Sequence, residues 1–201
     1  MSESIARAPA PNPKRTLRET LARRRLDAQR AQRAPRAHDA LARRVLAILA
    51  QCAPRTVGFY WPLPGEFDAR DAIASWLASD ASRQAALPVI GKPRTPLEFH
   101  AWTPDAPMRE GRHRIAEPAA GARLVPELLL IPCVGFDHGC FRLGYGGGYY
   151  DRTLAAWPGA TPPVTVGVAY DACGVRELPR EAHDLPLDWI VTETRLYRSD
   201  D

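Results

Sequence analysis

The chain has 201 residues, 45% apolar and 25% charged, with a formal net charge of +4, the size and balance of one globular domain. No run approaches the roughly 20 apolar residues of a membrane span, and Cys52, Cys133, Cys140 and Cys173 show no C-x-x-C spacing. That argues against a disulfide framework or a zinc site and points to a reducing cytoplasm.

Residues 1–13, rich in Pro, Ala and Arg, read as a disordered tail without the apolar stretch of a secretory signal. Residues 14–201 are expected to form one domain. Two helices are predicted, over 14–33 and 37–52. Leu17, Leu21 and Ala28 give the first a thin apolar stripe, and Leu41, Val45, Ile48 and Leu49 give the second a fuller one. Pro35 separates them, because proline interrupts the helical ladder. Residues 1–55 carry 13 Lys+Arg against four acids, whereas 56–201 carry 14 against 19. So basic a segment suits a solvated helix face, a nucleic-acid contact or a nucleotide triphosphate site.

Thr56–Trp61 reads as a strand ending in a Pro-Leu-Pro-Gly turn. A helix over 69–80 turns Ile73, Trp76 and Leu77 inward, with Asp68 as its predicted N-cap. Ala86–Ile90 is a short strand whose Pro88 favours a sheet edge or a strand end. Leu97–Trp102 alternates with period two, as a half-exposed strand does. Residues 103–126 read as loop. Leu128–Val134 is the most apolar strand and the expected sheet centre, with Cys133 as a small apolar member. A helix from about 148 to 156 follows, then a continuous apolar strand over 164–169. Residues 189–192 make the last predicted strand. Strands alternating with helices or long crossovers predict an α/β fold with an open, mostly parallel sheet and helices on both faces. Ligands of such sheets bind beyond the carboxyl ends of the strands, here after Trp61, Val134 and Ala169.

The stretch that carries chemistry is Arg142-Leu-Gly-Tyr-Gly-Gly-Gly-Tyr-Tyr-Asp-Arg152. Gly144, Gly146, Gly147 and Gly148 leave backbone amides unshielded, as an anion cradle requires. Arg142 and Arg152 flank them with fixed positive charge. Asp151 falls in the first turn of the next helix. There it serves either as an acid favoured by the helix dipole or as a Mg²⁺ ligand beside nucleotide phosphates. The loop is not a P-loop, since no Gly-Lys-Ser/Thr follows. It is not a dinucleotide fingerprint either, since the sixth position from Gly144 is Tyr149.

This stretch, preceded by Ile131-Pro-x-x-Gly-Phe-Asp137, resembles the signature of the 5-formyltetrahydrofolate cyclo-ligase (5,10-methenyltetrahydrofolate synthetase) family. Lys14-Arg-Thr-Leu-Arg18, Tyr60-Trp-Pro-Leu-Pro-Gly-Glu66, Ile115-Ala-Glu-Pro118 and His183-Asp-Leu-Pro-Leu-Asp188 followed by Ile190-Val-Thr192 resemble further family segments in the same order. The resemblance runs from residue 14 to about 195. It departs at Cys140, where the family often has Gly, and that puts the local turn geometry in question.

The resemblance implies a three-layer α/β/α fold like that of ribose-phosphate isomerases and CoA transferases. It implies a cytoplasmic monomer with ATP and Mg²⁺ as cofactors and 5-formyltetrahydrofolate as substrate, with no nucleic-acid or membrane partner. ATP would phosphorylate the N5-formyl oxygen, N10 would attack the activated carbon, and phosphate would leave. Lys14 and Arg18, one helical turn apart, are carried over as ATP-phosphate contacts. Arg142, Gly144, Gly146, Gly147, Gly148, Tyr149 and Tyr150 are carried over as the nucleotide loop, with Arg142 and Tyr149 nearest the chemistry. Trp61, Glu66 and Tyr145 are carried over to the folate, together with Gly146, Gly147, Gly148 and Tyr149. Asp151 and Asp184 are carried over as metal ligands.

Without the resemblance, Lys14 and Arg18 read as an exposed helix face. Trp61 then reads as a strand-end aromatic, Glu66 as a turn residue, Tyr150 as helix packing and Asp184 as a loop acid. His138 and His183 receive no catalytic role. Two other readings of the chain stand beside this one. The first is a family member that has lost the activity, which the intact Glu66, Asp151 and Asp184 oppose. The second is a nucleic-acid binder using the arginine-rich helices, which the acidic remainder opposes.

Overall fold

The computed structural model describes residues 13–28, 34–181 and 184–199. The tail expected before Pro13, positions 29–33 of the first predicted helix and His183 lie outside them. In chain order the elements are α1 (Pro13–Ala28), α2 (Ala34–Cys52), β1 (Thr56–Gly58), α3 (Arg70–Ala78), β2 (Gln84–Val89), β3 (Glu98–Trp102), β4 (Met108–Glu110), β5 (Ala116–Pro118), β6 (Arg123–Leu124) and β7 (Leu128–Pro132). There follow β8 (Gly135–Asp137), β9 (Arg142–Leu143), α4 (Tyr149–Ala155), β10 (Val164–Val168), β11 (Gly174–Val175), β12 (Trp189–Val191) and β13 (Leu196–Arg198).

Eight strands form the main sheet in the order β13-β12-β10-β7-β1-β2-β3-β6. The five central strands run parallel, and β13, β3 and β6 are antiparallel additions at the two edges. The sheet is layered by the alternation along β7. Leu128 and Leu130 pack in one core with Leu41, Val45 and Leu49 of α2 and Ile73 and Trp76 of α3. Leu129 and Ile131 face the opposite core, against Tyr150 and Leu154 of α4. Burial on both faces is why this strand reads as an unbroken apolar run. The result is the α/β architecture with helices on both faces that the sequence predicts.

Chain order reverses between β1 and β7. From β1 the chain builds outward through β2 on one side, and from β7 through β10 and β12 on the other. Such a reversal splays the connections leaving the two strands and opens a crevice at their carboxyl ends. α1 closes one end of it. Leu21 packs with Val134, Leu143 and Leu178. A Cβ at Gly135 would stand 2.3 Å from Leu21 Cδ1, so only glycine lets the helix approach this closely.

Several expectations need correction. α2 begins at Ala34 and contains Pro35, because a proline in the first helical turn lacks an N–H that has no intrahelical partner anyway. α3 is capped by Ala69 without a side-chain cap bond. The helix starts one residue later than predicted, so Asp68 stands one position before the cap, where it accepts the Arg70 N–H at 3.0 Å. β2 is interior to the sheet, so of the edge and strand-end readings of its proline the second holds. Its Pro88 lies past Ala86, the last residue paired with β1, so the missing N–H costs no bond on that side. Residues 103–126 contain a β4–β5 hairpin and β6, not loop alone, and β13 follows the strand taken as last. The turn at Cys140 is unusual as expected. Cys140 is fully buried at φ +60°, a left-handed conformation that glycine adopts without penalty.

Candidate active site

A cleft of about 800 Å³ lies in the crevice beyond β1, β2 and β7. The segment after β1 gives it one wall through Tyr60, Trp61, Leu63 and Glu66. The loop between β9 and α4 gives the facing wall, residues 144–148, followed by Tyr149, Tyr150 and Asp151. Lys14 and Arg18 reach in from α1, Glu181 and Asp184 from the segment before β12, and Arg112, His113, Ile115 and Glu117 from the β4–β5 hairpin. Every residue the sequence singled out as a ligand contact therefore lines one cavity, although 170 positions separate Lys14 from Asp184.

The glycine loop is shaped by backbone that side chains would not permit. Gly146 and Gly148 sit at φ +92° and +62°, and a Cβ on Gly146 would come within 3.3 Å of the Arg18 guanidinium. Arg18 donates from Nε to the Gly144 carbonyl at 2.7 Å, which fastens α1 to the loop. A Cβ on Gly144 itself would meet nothing within 4 Å. The smallness of that residue therefore leaves space on the cleft side rather than relieving a protein contact.

Cations and carboxylates alternate around this end. Lys14 Nζ lies 2.6 Å from Asp184 Oδ2 and 3.2 Å from Glu181 Oε1. Burial pulls its ammonium down, but the hydrogen bonds and charges of Asp184 and Glu181 outweigh this and hold it above the ordinary lysine value. Arg142, only 7% exposed, pairs with Asp151. Arg152 donates to the Gly147 carbonyl at 2.6 Å and lies over the Tyr149 ring.

The other end is aromatic and more deeply buried. Arg70, gripped by Asp68, stacks 4.4 Å from the Trp61 ring centroid, which fixes the indole at the cleft wall. Glu66 accepts the Leu63 N–H at 2.7 Å and the Tyr145 hydroxyl. Burial pushes its carboxyl up, and those two bonds with the Arg25 charge pull it back only in part. Tyr149 Oη lies 3.3 Å from His113 Nε2. Tyr150 of α4 packs in the core, yet its buried hydroxyl has no hydrogen-bond partner among the described residues and it lines the cleft. His138 stacks on Tyr197 instead and is not a cleft residue.

Charged residues at the cleft and behind its wall escaped the sequence reading, Glu181 beside Lys14 among them. Arg25 left a signal, since it falls one turn past Leu21 on the apolar stripe, where a charge is out of place. Glu117 lay in a recognised motif without a role, and it is buried in an ion pair with Arg109 at 2.9 Å. Arg112 and His113 left none, because His113 and Arg114 are both left-handed, at φ +60° and +57°, and non-glycine residues do not announce that conformation. No helix among the described residues is long and apolar enough to cross a membrane.

A doubly wound α/β sheet with a glycine-rich loop facing a buried carboxylate across one switch-point cleft is the architecture of small-molecule-binding α/β enzymes. Within that class the comparisons are specific. A model of the 5-formyltetrahydrofolate cyclo-ligase family matches residues 10–193, and the chain belongs to that family. The 5-formyltetrahydrofolate cyclo-ligase of Haemophilus influenzae is 33% identical over 159 residues, 75% of this chain and 82% of the relative. The Escherichia coli protein of the same name is 35% identical over 150 residues, 71% of this chain and 80% of its own. The NMR structure of Aquifex aeolicus 5,10-methenyltetrahydrofolate synthetase superposes with a TM-score of 0.78 at 28% identity, covering 94% of this chain and 93% of that one. A Mycoplasma pneumoniae 5,10-methenyltetrahydrofolate synthetase shares the fold, with a TM-score of 0.71 at 22% identity over 90% and 99% of the two chains.

Proposed function

We propose that this chain uses ATP to close the ring of 5-formyltetrahydrofolate, giving 5,10-methenyltetrahydrofolate, ADP and phosphate. The observation that carries the proposal is the two-ended cleft. Lys14, Arg18 and the glycine loop stand at one end, and Trp61 and buried Glu66 at the other, so a phosphate chain and a pterin can meet between them.

The formyl oxygen attacks the γ-phosphorus and ADP leaves. N10 then attacks the activated carbon and gives up its proton to water, and the C–O bond breaks with phosphate carrying the formyl oxygen away. Such phosphoryl transfer asks the protein for alignment and charge neutralisation more than for covalent help. Lys14 and Arg18 hold the phosphates as fixed donors, and the amides of 144–148 approach them closely because no side chain intervenes. Arg142, braced by Asp151, supplies positive charge where the transferring group develops negative charge. The Tyr149 hydroxyl, steadied by His113, stands at the junction of the two ends. Glu66 accepts hydrogen bonds from the N–H edge of the pterin, and Trp61 offers an aromatic wall.

The donor set also suits Mg²⁺. Asp151 and Asp184 line the cleft with hard oxygen donors, and no group of three or more metal-ligating side chains occurs among the described residues. A cation that takes one or two carboxylates and completes its shell with phosphate oxygens and water fits that supply. Bound there, it would neutralise phosphate charge. The protein acts as a cytoplasmic monomer in this reading.

The test is direct. Purified protein mixed with 5-formyltetrahydrofolate, ATP and Mg²⁺ develops the absorbance of the methenyl product, and omitting ATP abolishes it. Intact folate binding without product would sink the proposed reaction.

A further inference from the structure

α1 also brings a buried cation behind the cleft wall, where Arg25 contacts two lining residues, Glu66 and Tyr145. The side chain of Arg25 is 7% exposed and that of Glu66 4%, with Arg25 Nη1 3.6 Å from Glu66 Oε1. Arg25 Nη2 donates to the Pro64 carbonyl at 3.2 Å and to Tyr145 Oη at 3.1 Å. Nε and Nη1 make no hydrogen bond among the described residues. Burying a guanidinium this incompletely bonded costs stability, and an apolar residue on the same stripe would pack without that cost. The hydrogen bonds and the ion pair that Arg25 makes lead to the two loops that wall the folate end.

The hydrogen bonding there has one direction. Arginine only donates, so Tyr145 Oη accepts from Arg25 and gives its own hydrogen to Glu66 Oε1. Glu66 Oε2 takes the Leu63 N–H. The carboxylate is thereby held in place from two sides as an acceptor. We propose that Arg25 is a positioning residue for folate recognition: it orients the Tyr145 hydroxyl and, with it, holds the Glu66 carboxyl in place at the cleft. This rests on the functional reading above, since it takes the folate as the ligand of Glu66.

The groups facing Glu66 are Arg25 from α1, Tyr145 from the glycine loop, Leu63 N–H from its own turn, Tyr60 after β1, Tyr150 from α4 and Cys133 after β7. Arg25 is the fixed cation of that set. Burial raises the Glu66 carboxyl above its ordinary 4.5, and Arg25 opposes the rise. Removing Arg25 lets it climb further, so the neutral form, a poorer acceptor, appears at higher pH.

Kinetics and calorimetry on the full chain across the neutral and weakly acidic range test this. Arg25→Met raises KM and Kd for 5-formyltetrahydrofolate roughly tenfold, the worth of one charge-assisted hydrogen bond, and moves the pH midpoint of folate binding upward. KM for ATP changes by less than about twofold. Arg25→Lys restores the midpoint but only part of the affinity, because an ammonium replaces the charge and not the fork. If Arg25→Met does not fold, the neutral Arg25→Gln carries the same test. A folate KM and midpoint equal to wild type would overturn the proposal, as would equal losses for ATP and folate with no pH shift, the mark of a merely loosened helix. Wild-type protein that neither binds nor converts the folate overturns the functional reading and this proposal with it. Wild-type protein that does both, beside an unaffected Arg25→Met, overturns this proposal alone.

Discussion

Glu66→Gln separates the two ends of the cleft. The substitution is isosteric but swaps one carboxylate oxygen for an NH₂. If the remaining oxygen keeps the Leu63 N–H, the NH₂ faces the Tyr145 hydroxyl, which already accepts from Arg25. That oxygen has two lone pairs and can take both, but its own hydrogen then loses its acceptor. The pterin edge meets a neutral amide. A charge-assisted hydrogen bond contributes roughly 1.5–3 kcal/mol and a neutral one roughly 0.5–1.5, so each bond to the pterin weakens by about 1–1.5 kcal/mol. For one or two bonds the folate Kd rises between about fivefold and about 150-fold. Arg25 also loses its buried counter-charge. If about 2 kcal/mol of pairing is lost, melting falls by roughly 4–8 °C, and titrations belong well below that range. Calorimetry with 5-formyltetrahydrofolate and, separately, with a non-hydrolysable ATP analogue reads the two ends independently. An equal loss for both ligands, or an unchanged folate Kd, would refute the assignment of Glu66 to the pterin.

Two further substitutions probe the phosphate end. Asp151→Asn frees Arg142 from its partner and removes a hard oxygen donor, so turnover falls at least about tenfold and the Mg²⁺ concentration for half-maximal rate rises. A superimposable Mg²⁺ titration would remove Asp151 from the ligand set. Lys14→Met deletes one charge-assisted contact, so KM for ATP rises roughly tenfold while the folate Kd stays put. A shift confined to the folate would contradict its place at the phosphates.

The parts of the fold that the sequence revealed are those where one physical requirement acts along consecutive residues. Leu128–Val134 is apolar throughout because β7 is covered on both faces, and the period-two run before Trp102 is half covered. The glycine run was conspicuous because backbone at φ +92° and +62° needs glycine. What stayed hidden depends on distant partners. The β4–β5 hairpin has three-residue strands, too short to show a period, and its turn is left-handed at His113 and Arg114 without a glycine to mark it. Pro88 left a sheet edge and a strand end both open, because the sequence does not show that β1 stops pairing at Gly58. Asp184 was singled out by family resemblance alone, since a lone loop acid carries no local pattern, and its pairing with Lys14 needed the structure. Arg25 was visible as a charge on an apolar stripe, but its purpose needed Glu66 and Tyr145, 41 and 120 positions away.

The central claim is that one cleft lets the formyl oxygen of the folate attack ATP, and the fate of that oxygen tests it most directly. With 5-formyltetrahydrofolate labelled by ¹⁸O in the formyl group, a single turnover followed by mass spectrometry of the released phosphate reads where the label goes. Transfer through a phosphorylated formyl group predicts one labelled oxygen in every phosphate released. Unlabelled phosphate, with the label lost to water, would contradict the account.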